Sequence, residues 1–97
     1  MGKMTLPEIT EVVTHIAPSY PVISIDLFGS YAENMETDLS DIDLLVYFDA
    51  RTATLFDLIG LKQDIEDKLL LKVDIVAGPL HKETHLTIKK RIRIYEA

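Results

Sequence analysis

Val22-Ile23-Ser24-Ile25-Asp26-Leu27-Phe28-Gly29-Ser30 is followed, after ten residues, by Asp41-Ile42-Asp43-Leu44-Leu45-Val46-Tyr47-Phe48. Val22 to Phe28 is rich in β-branched and aromatic residues and reads as a strand, which Gly29-Ser30 breaks. Asp41 to Phe48 reads as a second strand. Its centre, Leu44-Leu45-Val46, is apolar on both faces, so it should run inside a sheet covered on both sides. Between them Glu33 to Ser40 is polar and loop-like, after one short helical turn at Ser30 to Glu33.

Outward from this pair the hydrophobic period changes. Leu6, Ile9, Val12, Val13 and Ile16 recur at three- and four-residue steps and predict an amphipathic helix. Pro18 and Pro21 end it, since proline cannot continue a helix. Leu55, Leu58, Leu61, Ile65 and Leu69 predict a second helix, with Gly60 a mild interior penalty. Lys72 to Ala77 reads as a third strand, closed by Gly78-Pro79. From Lys82 onward, Ile88, Ile92 and Tyr95 keep helical spacing. The alternation Ile92-Arg93-Ile94 equally suits a short strand, and helix is the preferred reading. Phe28, Phe48 and Phe56 are expected in the core. Helices between strands imply an α/β or α+β fold: a small mixed β-sheet with helices packed on it.

At 97 residues this is one domain, spanning 1–97. Apolar residues make up 47% and charged residues 27%, an ordinary globular balance. The absence of cysteine excludes disulfides, thiolate metal sites and a cysteine nucleophile. No apolar run approaches the roughly 18 residues of a spanning helix, and the N-terminus lacks an apolar signal region, so a cytoplasmic, non-membrane protein is expected. The net charge of −6 is uneven: residues 1–77 carry −9 and residues 78–97 carry +3. A binder of long nucleic acid usually shows a broad basic face, which this chain lacks. The basic cluster Lys89, Lys90, Arg91 and Arg93 could meet an acidic partner, and reads first as a solvated basic terminal helix.

Chemistry concentrates in three carboxylates. Asp41 and Asp43 stand two apart at a strand start, so both should point to one face. Like charges held that close call for a cation, and carboxylate oxygens select hard ions such as magnesium. Asp74, mid-strand between Val73 and Ile75, joins them if the third strand lies beside the second. Otherwise it is a salt-bridge partner for Lys72 or Lys68. Gly29-Ser30 supplies the complement, a backbone that a phosphate can approach closely and a hydroxyl that can donate to it. Singly, each of these signals is ordinary. Together they suit phosphoryl or nucleotidyl transfer.

Gly29-Ser30, ten residues, then Asp41-Ile42-Asp43 resembles the signature of the DNA polymerase β-like nucleotidyltransferase superfamily. Phe28-Gly29-Ser30-Tyr31-Ala32, Ser40-Asp41-Ile42-Asp43-Leu44-Leu45-Val46 and Val73-Asp74-Ile75-Val76 are similar to its minimal nucleotidyltransferase (MNT) group. The resemblance covers about residues 20–77. It implies a nucleotidyltransferase fold, with Asp41 and Asp43 as magnesium ligands. Asp74 would be the third acidic residue, binding metal or acting as base, and Gly29 and Ser30 would hold the triphosphate of ATP. It further implies an antitoxin that transfers AMP to a tyrosine of a HEPN-domain ribonuclease toxin. Two alternatives stand beside it: an antitoxin that masks its partner without catalysis, and a nucleotidyltransferase acting on RNA or a small molecule. Glu33-Asn34 replaces the Arg-Gly common in the group, which removes a phosphate contact. A chain this short also leaves little room for an acceptor-binding domain. The acceptor is therefore expected at a contact with another protein or a second copy of the chain.

Overall fold

The computed structural model describes residues 5–29, 41–78 and 91–97. Helix α1 (Leu6–Ile16) opens on a capping box, in which the Thr5 hydroxyl accepts from the Glu8 N–H and the Glu8 carboxylate accepts from Thr5. A 3₁₀ turn (Ala17–Ser19) at Pro18 ends it. Strands β1 (Val22–Phe28) and β2 (Ile42–Phe48) follow, then α2 (Leu55–Leu69), β3 (Val73–Gly78) and β4 (Ile92–Glu96).

The sheet order is β3-β2-β1-β4. β1 pairs antiparallel with β2 and β4, while β2 and β3 run parallel, joined through α2. The sheet is therefore mixed and β2 is interior, as its doubly apolar centre requires. Leu44, Leu45 and Val46 are all fully buried. One sheet face packs on the helices: Ile25 and Leu27, Ile42, Leu44 and Val46, Val73 and Ile94 join Ile9, Val13, Leu61 and Ile65 in a single core. The Glu66 carboxylate accepts the Val73 N–H at 2.9 Å, tying α2 to the start of β3.

Three expectations need correction. Residues 92–96 form a strand, not a helix. Pairing with β1 buries Ile94 and turns Arg93 to the opposite face, which a helix would not do. Phe56, expected in the core, is 84% exposed. It lies five residues before Leu61 on α2, so it falls nearly opposite the buried stripe of Leu61, Ile65 and Leu69. Phe28 is buried and Phe48 packs partly on the core. Gly60 is more than a helix penalty: a Cβ there would sit 2.9 Å from the Tyr20 hydroxyl, which donates to Asp64. The predicted turn at Ser30–Glu33 and the loop to Ser40 lie outside the described residues.

Candidate functional site

The other face of the sheet carries the chemistry. The core takes alternate residues of each strand, which leaves Ser24, Asp26 and Phe28 of β1, Asp43, Leu45 and Tyr47 of β2, and Asp74 and Val76 of β3 on the side away from the helices.

Asp43 and Asp74 are direct neighbours in the parallel register of β2 and β3. Phe28 lies opposite Asp43 on its other side. Asp41 stands just before β2, where Lys72 Nζ lies 3.8 Å from its carboxylate. Lys72 thus meets Asp41, and Asp74 forms no ion pair among the described residues. Burial, then the charges of Asp74 and Asp41, push the Asp43 carboxyl above its ordinary pKa. Asp43 therefore feels two like charges at this rim of the sheet, Asp74 beside it on β3 and Asp41 two residues before it.

Gly29 is demanded twice over by this rim. Its φ of 76° lies in the left-handed region. A Cβ at Gly29 would also fall 2.1 Å from Asp43 Oδ2. The close approach that glycine allows here is to the carboxylate itself, which packs against the bare backbone at the end of β1. Gly29, Asp41, Asp43 and Asp74 are thus brought to one place. Ser30 lies outside the described residues.

Among the described residues, no three His, Cys, Asp or Glu side chains converge into a ready metal cage. The donor set still fits magnesium. That ion is usually held by one or two carboxylates and completes its octahedron with waters and substrate phosphates. The crowding that raises the Asp43 pKa is what a divalent cation would relieve.

The same face corrects the reading of Arg91 and Arg93 as solvated: because β4 lies beside β1, both are turned to a buried aspartate that the sequence reading did not single out. Asp26, only 3% exposed in the middle of β1, is ion-paired with Arg93 and has Arg91 Nε at 3.9 Å. Arg91 reaches on to donate to the Tyr47 hydroxyl at 3.3 Å, and Arg93 also bonds Glu96 at 2.8 Å. A signal was present: an aspartate interrupts the apolar run of β1, and an arginine alternates with Ile92 and Ile94.

No helix among the described residues is long and apolar enough to cross a membrane. Comparison with known proteins gives concordant results. A family model described as polymerase beta, nucleotidyltransferase, matches residues 11–96. A Methanocaldococcus jannaschii protein provisionally named protein adenylyltransferase MJ0126 is 40% identical over 77 residues, covering 74% of this chain and 76% of its own length. Protein adenylyltransferase MntA of Thermococcus cleftensis is 34% identical over 80 residues, covering 78% and 80%. Among solved structures, one provisionally described as a minimal nucleotidyltransferase superposes with a TM-score of 0.68 at 32% identity, over 79% of this chain and 81% of that one. A toxin–antitoxin complex with AMP-PNP shares the fold, with a TM-score of 0.72 at 21% identity over 91% and 73%.

Proposed function

Since the chain belongs to the polymerase β-type nucleotidyltransferase family, we propose that it is an antitoxin that transfers AMP from ATP to a tyrosine of a partner HEPN ribonuclease toxin and so silences it. The observation that carries this reading is the placement of Asp43 beside Asp74, against the glycine that ends β1. The name of the Thermococcus relative supports a protein acceptor, and the fold shared with a nucleotide-bound toxin–antitoxin complex is consistent with the pairing. The family match over residues 11–96 supports reading 1–97 as one nucleotidyltransferase domain.

In the reaction the acceptor hydroxyl attacks the α-phosphate of ATP, an O–P bond forms, and pyrophosphate departs. Magnesium, when bound, neutralises the triphosphate and aligns it. Asp41 and Asp43 would hold that ion. Asp74 completes the acidic set as a further ligand or as the base that takes the proton of the acceptor hydroxyl. Gly29, with Ser30 following it, would let the triphosphate lie close to the backbone. The chain's own carboxylates repel ATP, so binding should depend steeply on the cation.

The test is label transfer from ATP labelled at the α-phosphate, with magnesium and the partner toxin. The Asp41→Ala, Asp43→Ala double variant runs beside the wild type. Label should appear on a tyrosine of the toxin and vanish with the variant. A toxin that is bound and silenced without label would establish masking instead. Label on RNA or a small molecule, with none on protein, would move the acceptor class.

A further inference from the structure

The start of β3 carries a fourth residue onto the carboxylate rim. In the parallel register of β2 and β3, Ile42 faces Val73 and Asp43 faces Asp74. The Ile42 N–H donates to the Lys72 carbonyl at 3.0 Å, so the register continues one step before both strands and sets Asp41 beside Lys72. Ile42 and Val73 are fully buried in the core. Alternation therefore turns Asp41, Asp43, Lys72 and Asp74 to the opposite face. They form a two-by-two array, three corners acidic and one basic.

The backbone at this corner is anchored while the ammonium is not. Lys72 C=O is held by Ile42, and the next N–H, that of Val73, is held by the Glu66 carboxylate. The Lys72 side chain is 65% exposed, and its Nζ stands 3.8 Å from Asp41. So loose and exposed a pair contributes little to stability. Lys72 is nevertheless the cation of this rim among the described residues. Arg91 and Arg93 turn to Asp26, Arg51 pairs with Asp49, and Lys62 and Lys68 ride on α2 across the sheet. A magnesium ion on Asp41 and an ammonium on Asp41 compete for one carboxylate and repel each other. On the other side of β2, two strand spacings or about 10 Å away, the rim is bounded by the bare backbone of Gly29.

We propose that Lys72 is a nucleotide-binding residue that serves two anions in turn: it answers Asp41 while the rim holds no metal, and passes to a phosphate of the nucleotide when magnesium takes Asp41. This deepens the function proposed above and rests on that reading for a magnesium-bound nucleotide at this rim. A compact ammonium on a flexible four-carbon stem suits such an exchange, because it acts as a point charge without a fixed fork geometry.

The experiment uses the full chain and two ligands. Magnesium binding is read from the thermal midpoint as the ion is titrated without nucleotide. Nucleotide binding is read by calorimetry with AMP-PNP at saturating magnesium, so that the first effect does not enter the second. Lys72→Met removes the ammonium and keeps an unbranched stem. It should bind magnesium at least about threefold more tightly, since a repelling charge beside Asp41 is gone. It should bind AMP-PNP at least about tenfold more weakly, since a charge-assisted contact to phosphate is lost. A merely structural role would not move the two affinities in opposite directions. Lys72→Arg keeps the charge and should return both toward wild type. Lys68→Met removes an equal charge from α2 and should change neither, because salt screens it at that remove. The proposal is overturned if Lys72→Met binds magnesium no more tightly, if it binds AMP-PNP as wild type does, or if Lys68→Met gives the same changes. A wild type that binds neither ligand overturns it together with the reading of the rim. No toxin takes part, so a failure of AMP transfer to the toxin, with these affinities as expected, would overturn the proposed reaction and leave Lys72 assigned.

Discussion

Asp26 and Asp43 sit on adjacent strands, on the same face of the same sheet, two rows apart. Asp26 is almost wholly buried, yet two arginines answer it, Arg93 in direct contact and Arg91 beside it. Asp43 is half-buried, and what stands nearest in charge is Asp74 and Asp41. Taking a carboxylate out of water is expensive unless a partner offsets it. The fold supplies the partner for Asp26 from its own last strand. At Asp43 it adds further negative charge instead, so the compensation has to arrive from outside. The first arrangement holds β4 to β1. The second leaves like charges without an answering partner beside Asp43, which is what the proposed cation would supply.

The contrast is broken most directly by exchanging the two outcomes. Asp43→Asn should lower AMP transfer at least about a hundredfold, on the scale of losing a charged group that organises a metal-assisted reaction. It should nevertheless raise the thermal midpoint, because it removes a half-buried charge that Asp74 and Asp41 repel. Arg93→Ala should do the reverse. It leaves Asp26 buried with only the more distant Arg91, and should lower the urea midpoint, while transfer per folded molecule stays near wild type. If Asp43→Asn destabilises the protein, or Arg93→Ala abolishes transfer in the folded state, the two carboxylates do not divide the labour in this way.

A smaller effect is expected at the point where the rim meets the end of β1. Gly29→Ala must hold a side chain at positive φ and place a methyl group on Asp43 Oδ2. The backbone strain alone is worth about 1–2 kcal/mol, and relief of the clash requires the carboxylate to move. Transfer should therefore fall along with stability, whereas Arg93→Ala lowers stability alone. Urea unfolding and label transfer measured on the same samples separate the two.

These two regions were unequally legible in the sequence. β2 declares itself locally: a run apolar on both faces belongs inside a sheet. Asp43 and Asp74 stand out because an aspartate in such strands needs a reason. Gly29 was legible as a place of close approach, but what approaches it is Asp43, fourteen positions away, which only the β1–β2 register reveals. β4 was ambiguous because Ile92 and Tyr95 suit a helix as well as Ile92 and Ile94 suit a strand. The choice is made by pairing with β1 and by the Arg93–Asp26 contact, which bridges 67 positions. The outer residues of α2 misled for the opposite reason. Leu55 shares the helical period of the core leucines, and Phe56 is the type of residue that cores are made of. Helical phase relative to Leu61, Ile65 and Leu69 turns both outward, and a periodic apolar pattern cannot say which of two apolar sides the sheet will cover.

The smallest effect sharpens the comparison through pH and metal. The folded-state pKa of Asp43 is raised, so relative to the unfolded chain its ionisation destabilises the fold. Its favourable share is fully present below the unfolded value, about 3.9, and is lost as pH rises through the higher folded value. Asparagine does not titrate. The stability of Asp43→Asn minus that of wild type should thus be near zero at about pH 3 and grow in favour of the variant as pH rises. Groups remote from Asp43 cancel in the difference. Magnesium added at neutral pH should then raise the wild-type midpoint and close the gap, since a ligand that binds only the folded state stabilises it. The variant, with one carboxylate fewer to relieve, should respond less. A gap that does not change with pH would mean that Asp43 is not held against its neighbours' charge. Equal shifts with magnesium in both proteins would place the ion elsewhere than on the Asp41–Asp43–Asp74 rim.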